Sequence, residues 1–144
     1  GSLMGAKLQG RVLIVDDDAD LQNVVCAMLK SAGFRTSAVS SAEEAFDLLR
    51  ESRPDLMVLD WNLPGMSGVE FCRRLRKEPR LGRLPVLFLT AHSSTSDIVE
   101  AFSAGADDFV SKPFRAPELA ARVLGLIRRA QMPPQSVRSG ASSP

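Results

Sequence analysis

Three carboxylates of this sequence stand directly after short apolar runs. Asp16 and Asp17 follow the run at 12–15, and Asp60 follows the run at 56–59. Carboxylates that are crowded together repel one another unless a cation or raised pKa values relieve them. A small number of oxygen ligands from protein suits Mg²⁺, which keeps several of its waters and favours phosphate oxygens as partners. The chemistry expected of these residues is therefore the binding of a divalent cation next to a phosphate group.

Two later segments are followed by groups that complement a phosphate. Thr90 follows the apolar run at 86–89, and Lys112 follows the short strand-like segment at 108–111. The threonine hydroxyl is a neutral hydrogen-bond donor, and the lysine ammonium is a compact positive charge with three donors. Together with the carboxylates, these residues predict a site that holds a small dianion beside a metal ion.

The chain must bring the ends of these runs to one edge of the structure. Most of the runs are rich in Val, Ile and Leu, which is typical of strands covered on both faces. Segments with helical periodicity separate them, and Gly33 suits the end of the first helix. Five such β–α units predict a parallel sheet with helices on both sides, and ligands bind such sheets at the carboxyl ends of the strands.

The predicted elements can be placed approximately along the chain. Strands are predicted near 12–15, 36–39, 56–59, 86–89 and 108–111, and helices near 21–33, 41–50, 67–77, 96–104 and 116–130. The buried face of the first helix is predicted to carry Leu21, Val24, Val25, Met28 and Leu29. Asp18 or Asp20 is expected to cap this helix, and Ser41 with Glu44 is expected to form a capping box on the second.

Composition limits the class of protein. A chain of 144 residues that is 44% hydrophobic suits one domain with a real core. Eighteen basic and 17 acidic residues produce no strong field that would favour nucleic acid or membranes. Cys26 and Cys72 are expected to be buried thiols of a reducing compartment. No apolar run approaches the ~20 residues of a membrane span and no secretory layout is present, so a cytoplasmic location is expected.

The domain boundaries follow from the same composition. Residues 1–9 are interpreted as an N-terminal tag remnant and lead-in, because Gly1-Ser2 is typical of a scar left by tag removal. Residues 10–131 are predicted to form the folded domain. Residues 132–144 carry Pro, Ser and Gly without periodic apolar positions, so they are predicted to be a flexible tail or a truncated linker.

The order of the polar groups along the chain resembles the receiver domain of bacterial response regulators. The stretches that carry the resemblance are VLIVDDD, LMVLDWNLPGMSG, VLFLTA and GADDFVSKPF, and it covers roughly residues 10 to 130. The resemblance implies a flavodoxin-like, doubly wound α/β fold. Its five-stranded parallel sheet, in the order 2-1-3-4-5 of the family's chemotaxis regulator, would be packed with five helices.

The resemblance also implies what the residues at the strand ends do. Asp60 would accept a phosphoryl group from a phosphohistidine of a sensor histidine kinase or a phosphotransfer protein. Mg²⁺ would be bound by Asp17, Asp60 and the backbone carbonyl of Asn62, and Asp16 would reach it through water. Lys112 would pair with one phosphoryl oxygen.

A change of surface would follow phosphorylation in such a domain. Thr90 would swing to hydrogen-bond a phosphoryl oxygen, and Phe109 would turn inward behind it. The surface of the fourth helix, fifth strand and fifth helix would then control an output domain or a downstream protein. The Lys112–Pro113 bond is expected to be cis. His92 is expected to be a solvated loop residue, although its place two residues after Thr90 suits tuning of the phosphate lifetime.

Relatives that pair through this surface are expected to use ion pairs between subunits. The residues that resemble the set are Asp107, Asp108, Glu118 and Arg122. Ile98 stands where these relatives usually carry arginine, and Leu124 where they often carry lysine. A monomer or a weak phosphorylation-dependent dimer is therefore expected.

Other functions fit the sequence less well. The chain lacks the nucleotide loop GxxxxGK[ST], the motif GxSxG and any Cys/His nucleophile pair, so no enzyme activity is expected beyond its own phosphorylation and slow hydrolysis. Neither direct nucleic-acid contact nor a membrane is expected. A protein-binding module that never sees phosphate remains the alternative. A missing aspartate, threonine or lysine would favour it, and none of them is missing. A flavodoxin-like cofactor binder would want a phosphate-cradling loop where three aspartates stand.

Overall fold

A computed structural model describes residues 9–132 of the protein. Of the predicted lead-in at 1–9 only Gln9 belongs to the described residues, and of the predicted tail at 132–144 only Met132. The remainder of both predicted segments lies outside them.

Five strands and five helices alternate along the described chain. The strands are β1 (Gly10–Val15), β2 (Phe34–Val39), β3 (Leu56–Leu59), β4 (Val86–Thr90) and β5 (Asp108–Ser111). The helices are α1 (Ala19–Ser31), α2 (Ala42–Glu51), α3 (Gly68–Arg76), α4 (Thr95–Ser103) and α5 (Ala116–Gln131). All neighbouring strands pair in parallel, in the order β2-β1-β3-β4-β5. The predicted fold class and strand order are confirmed.

Two apolar cores lie on the two faces of the sheet. Because successive side chains of a strand point to opposite faces, Leu13 and Val15 enter one core while Val12 and Ile14 enter the other. The first core contains apolar residues of α2, α3 and α4. The second contains apolar residues of α1 and α5. Burial on both faces explains why the central strands are continuous apolar runs without alternation.

The buried face of α1 is narrower than the sequence pattern predicted. Val25 and Leu29 are almost completely buried, whereas Val24 is 45% exposed, so its assignment to the buried face is wrong. Val24 precedes Val25 by about 100° around the helix, which turns it to the edge of the contact. Cys26, expected to be buried, is only partly buried. Gly33 follows the helix with φ +99°, a left-handed conformation that glycine adopts at little cost.

Polar side chains cap the N-termini of α1 and α2. The Asp18 carboxylate accepts hydrogen bonds from the amides of Asp20 and Leu21, so of the two candidate caps it is Asp18 that caps α1, while Asp20 lies in its first turn. The Ser41 hydroxyl caps α2, but the Glu44 carboxylate accepts a hydrogen bond from the amide of Ser40. The predicted capping box is therefore wrong in one of its two bonds. Glu44 satisfies an amide one residue further upstream.

Candidate functional site

The residues predicted to do chemistry gather at the carboxyl edge of the sheet. Backbone pairing continues one residue past β1 and β3, because the Asp16 amide donates to Val39 O at 3.1 Å and the Asp60 amide donates to Val15 O at 3.0 Å. These bonds fix the backbone of both aspartates. Strand β1 lies between β2 and β3, where the strand order reverses. Asp16 and Asp60 therefore lie at the position where open α/β sheets bind ligands.

The three aspartates form one cluster. Asp16, Asp17 and Asp60 each place a carboxylate oxygen within 4.8 Å of oxygens from the other two. Asp16 and Asp60 are only 4% and 7% exposed, whereas Asp17 is open to solvent. All donors are hard carboxylate oxygens, two are fixed by the sheet, and one side of the cluster is open. This donor set fits a hard divalent cation that keeps part of its water shell.

Burial controls the acidity of the two inner carboxylates. Desolvation raises the pKa of Asp60, although the Lys112 ammonium and the Trp61 amide act in the opposite direction. Desolvation also raises the pKa of Asp16, against the Asp18 amide, which donates to Asp16 Oδ1 at 2.9 Å. The negative charge of Asp60 adds to the shift of Asp16. Both carboxylates would gain from a nearby cation, because their charged forms are the ones that burial disfavours.

The Lys112 side chain places a positive charge beside the aspartate cluster. Its Nζ lies 3.6 Å from Asp60 Oδ1 and 3.9 Å from Asp16 Oδ2. The Lys112 amide continues the pairing of β5 by donating to Thr90 O at 2.9 Å. The Lys112–Pro113 bond is cis, as the resemblance implied. The ammonium therefore faces both buried carboxylates from across the edge of the sheet.

Thr90 and Phe109 occupy neighbouring strands behind the carboxylate cluster. Thr90 is 1% exposed, and its Oγ1 accepts a hydrogen bond from the His92 amide at 3.1 Å. Phe109 is half-buried and packs against the core formed with α2, α3 and α4. In this arrangement, the Thr90 hydroxyl is engaged by its own loop and Phe109 is not completely buried.

Gly68 is a site residue that sequence reasoning missed. A Cβ atom at Gly68 would lie 2.2 Å from the carbonyl oxygen of Asp60. The Gly68 amide also donates to Trp61 O at 2.8 Å. The first residue of α3 thus packs directly on the backbone of Asp60, an approach that only glycine allows. The available signal was the second glycine of LPGMSG, which assigns no contact by itself.

His92 is the expected loop residue, but its ring is only partly solvated because it also makes specific contacts. Its ring stacks on the Trp61 indole with centroids 5.0 Å apart and an interplanar angle of 19°. The Asn62 side-chain amide lies 3.1 Å from His92 Nε2. The His92 side chain is 39% exposed, so one part of its surface contacts the protein and the rest contacts solvent. Trp61 in turn packs against Phe88 of β4 at 5.8 Å.

The charged residues on β5 and α5 pair within the chain. Arg122 contacts Asp108 at 3.1 Å and Glu118 at 3.4 Å. Asp107 accepts hydrogen bonds from Arg76 and from the backbone amide of Val86, both at 2.9 Å. Each member of the predicted set therefore has a partner inside the described part of the chain.

Comparison with known proteins identifies the family. Residues 12–124 match the family model of the response regulator receiver domain. The chain is 44% identical over 121 residues to the phosphate regulon transcriptional regulatory protein PhoB of Rhizobium meliloti, covering 84% of the chain and 53% of that protein. It is 42% identical over 122 residues to the DNA-binding response regulator MtrA of Mycolicibacterium paratuberculosis, covering 85% and 53%.

A solved structure shows the same architecture. The receiver domain of the sensor histidine kinase PA1611 of Pseudomonas aeruginosa matches with a TM-score of 0.75 and 32% identity, covering 83% of this chain and 98% of that domain. That structure contains a magnesium ion coordinated in the active-site cleft.

With this fold and this acidic pocket, the chain belongs to the response regulator receiver domain family of two-component signalling. It spans about half the length of the curated relatives it matches. Among residues 9–132, no helix is both long and apolar enough to cross a membrane.

Proposed function

We propose that Asp60 is the phosphoacceptor of this receiver domain. The observation that carries the proposal is the position of its carboxylate. Asp60 is buried at the carboxyl edge of the sheet, within 4.8 Å of the acidic oxygens of Asp16 and Asp17 and 3.6 Å from the Lys112 ammonium. A carboxylate that is fixed and desolvated, with carboxylates beside it to bind a cation and an ammonium to attract phosphoryl oxygens, suits a nucleophile in phosphoryl transfer.

Mg²⁺ is the cofactor that the donor set supports. Asp17, Asp60 and the backbone carbonyl of Asn62 would hold it, and Asp16 would reach it through a bound water. When bound, Mg²⁺ supplies positive charge to the phosphoryl oxygens and offsets repulsion among the carboxylates. The exposure of Asp17 supports this assignment, because a cation that keeps waters needs an open side.

The remaining groups of the chain position the phosphoryl group. An Asp60 carboxylate oxygen forms the new P–O bond while the P–N bond of a phosphohistidine breaks, and the electron pair of that bond leaves with the imidazole. Lys112 would contact one phosphoryl oxygen without moving far, since its Nζ already faces Asp60. Thr90 would donate its hydroxyl to another, and Phe109 would fill the space behind Thr90. The new contacts favour a second arrangement of the surface formed by α4, β5 and α5.

The partners follow from the place of such a domain in signalling. A sensor histidine kinase or a phosphotransfer protein would donate the phosphoryl group, and an output domain or downstream protein would read the switched surface. The names of PhoB and MtrA favour a transcriptional output on a part of the protein beyond this chain. We propose no direct nucleic-acid contact by this domain and no membrane association. We also propose no enzymatic role beyond its own phosphorylation and dephosphorylation. The proposed location is the cytoplasm.

Intact mass after incubation with Mg²⁺ and a small phosphodonor tests the proposal. The parent should gain one phosphoryl group, and omission of Mg²⁺ or the substitution Asp60→Asn should abolish the gain. Asp47→Asn is the matched control, because Asp47 is a carboxylate with a 71% exposed side chain on α2. A gain that persists in Asp60→Asn, or none in the folded parent with any donor, would refute the assignment. The second result would favour a phosphate-independent binding module.

The charge pairing on β5 and α5 supports a monomer or a weak phosphorylation-dependent dimer. Arg122 is already paired with Asp108 and Glu118, so a contact between subunits would have to break or share these bonds. Ile98 and Leu124 add no compensating charge. Sedimentation of phosphorylated and unphosphorylated protein tests this expectation. A tight dimer that Arg122→Ala abolishes would contradict it.

A further inference from the structure

Two loops of the site are joined by a contact that the proposed chemistry does not use. Trp61 and Asn62 directly follow Asp60, and His92 lies two residues after Thr90. The His92 ring stacks on Trp61 at 5.0 Å and lies 3.1 Å from the Asn62 amide nitrogen. Trp61, Asn62 and His92 together form what is called here the loop latch. It connects the loop after the nucleophile to the loop after the switch hydroxyl.

The loop latch also reaches α4. His92 Nδ1 lies 3.9 Å from Asp97 Oδ2. The same Asp97 carboxylate accepts a hydrogen bond from the Ser94 amide, and the Asp97 amide donates to Ser94 Oγ, which completes the capping box of α4. A displacement of His92 would therefore change the contacts of Asp97 in the first turn of α4, on the surface proposed to switch.

The backbone of His92 holds the Thr90 hydroxyl. The His92 amide donates to Thr90 Oγ1 at 3.1 Å. A hydroxyl that moves toward a phosphoryl oxygen must lengthen this bond or carry the loop with it. The stacked ring resists the second course, because Trp61 is itself packed against Phe88 in the core. Movement of the Thr90 hydroxyl would therefore have to break the bond to the His92 amide or disturb the contacts of the loop latch.

We propose that the loop latch restrains the resting conformation, so that His92 is a positioning residue which sets how readily Asp60 is phosphorylated. This inference rests on the proposed function of Asp60. Contacts made in only one of two states bias the equilibrium by their differential free energy. The aromatic stack alone biases it by about three- to tenfold. Release of the loop latch should raise the population competent for phosphorylation by that factor.

Three substitutions in the full chain separate the contributions to the loop latch. His92→Ala removes the stack and the ring nitrogens, whereas His92→Phe keeps an aromatic ring for Trp61 and loses only the nitrogens. Ser93→Ala is the matched control, since Ser93 is an exposed neighbour in the same loop. The rate of phosphoryl incorporation from a small phosphodonor with Mg²⁺ is followed by intact mass. His92→Ala should react about three- to tenfold faster than the parent, His92→Phe should fall between them, and Ser93→Ala should match the parent.

A second measurement needs no phosphate and distinguishes the loop latch from the function on which it rests. Hydrogen exchange of the amides at 91–97 in the unphosphorylated protein should be faster in His92→Ala and unchanged in Ser93→Ala. Equal exchange and equal reaction rates in the parent and His92→Ala would overturn the inference. Slower phosphorylation of His92→Ala would also overturn it, because the contact would then assist the reaction. A parent that exchanges as expected but never gains a phosphoryl group would refute the function of Asp60 and, with it, the role of the loop latch.

Discussion

The substitution Gly68→Ala tests how closely the nucleophile depends on the start of α3. The added Cβ would lie 2.2 Å from the carbonyl oxygen of Asp60 and 3.1 Å from Phe88 Cε1. Real Cβ atoms essentially never lie closer than 3.0 Å to such an atom, so the two backbones must separate by about 1 Å. The atom in the way belongs to the main chain, and no rotation of a side chain can relieve the overlap.

The expected magnitude follows from this displacement. Overpacking of a well-packed region costs about 1–3 kcal/mol, so the free energy of unfolding should fall by that amount. A displacement of about 1 Å at reacting groups can slow a reaction about 100-fold. Because Asp60 would move relative to Asp16 and Lys112, phosphorylation should slow by about 10- to 100-fold.

Gly125→Ala is the matched control for the same chemical change. Gly125 lies within α5, and its added Cβ would meet no atom within 4 Å. Glycine in a helix interior is less stable than alanine by about 1 kcal/mol, so this variant should be slightly more stable than the parent. Urea denaturation gives the stabilities, and intact mass during incubation with Mg²⁺ and a small phosphodonor gives the rates. A Gly68→Ala protein as stable and as fast as Gly125→Ala would refute the reasoning.

Three further predictions concern the charges around the site and beneath it. Arg76 donates to the backbone carbonyls of Gly82, Leu84 and Gly105, so Arg76→Ala should lower the free energy of unfolding by about 2–4 kcal/mol in urea denaturation. The control Arg73→Ala removes a half-exposed pair with Glu100 at 3.7 Å and should cost no more than about 0.5 kcal/mol; equal losses would contradict the assignment. Burial raises the pKa of Asp60 above its ordinary value of 3.8. Between these two pKa values the folded protein binds more protons than the unfolded chain. The free energy of unfolding therefore falls as pH rises through this window. Asp60→Asn should therefore be more stable than the parent at pH 7, with a gap that shrinks toward pH 4 in urea denaturation at both pH values, and a gap independent of pH would count against the pKa shift. Mg²⁺ at ten times its dissociation constant should raise the free energy of unfolding of the parent by about 1.4 kcal/mol, and an equal gain in Asp17→Asn would exclude Asp17 as a ligand.

The pattern of apolar residues was sufficient to predict the strands and helices, because each of them has its own characteristic spacing or run of apolar residues. Strand β3 is apolar at every residue and β4 at every residue before Thr90, since helices cover both faces, and this separates them from the periodic helices. Prediction from the sequence was less accurate for residues at the edge of a helix contact or at the start of a helix. Val24 satisfies helical spacing yet stays exposed, because the width of a buried face depends on the neighbour that covers it. Glu44 has the right spacing for a capping box but bonds to Ser40, since the path of the preceding turn decides which amide comes within reach.

The same division applies to the site. The types and order of Asp16, Asp60, Thr90 and Lys112 were readable in the sequence, because parallel strands deliver their carboxyl ends to one edge. The contact of Gly68 with the Asp60 backbone was not readable, nor was the stack of His92 on Trp61. Asp60 and Gly68 lie 8 residues apart at the two ends of the segment between β3 and α3, and Trp61 and His92 lie 31 residues apart on different loops. The packing of α3 and α4 on the sheet determines how these segments meet.

The sequence by itself determined the class of fold, the strand order through its resemblance, and the groups that meet at the edge of the sheet. Periodicity and residue type act locally, so they survive without knowledge of the rest of the chain. The tertiary structure alone decided which carboxylates are desolvated, which partners Arg76 and Arg122 choose, and how the two loops beside Asp60 hold each other. Those properties depend on distances between segments remote in sequence, and only the packed core fixes such distances.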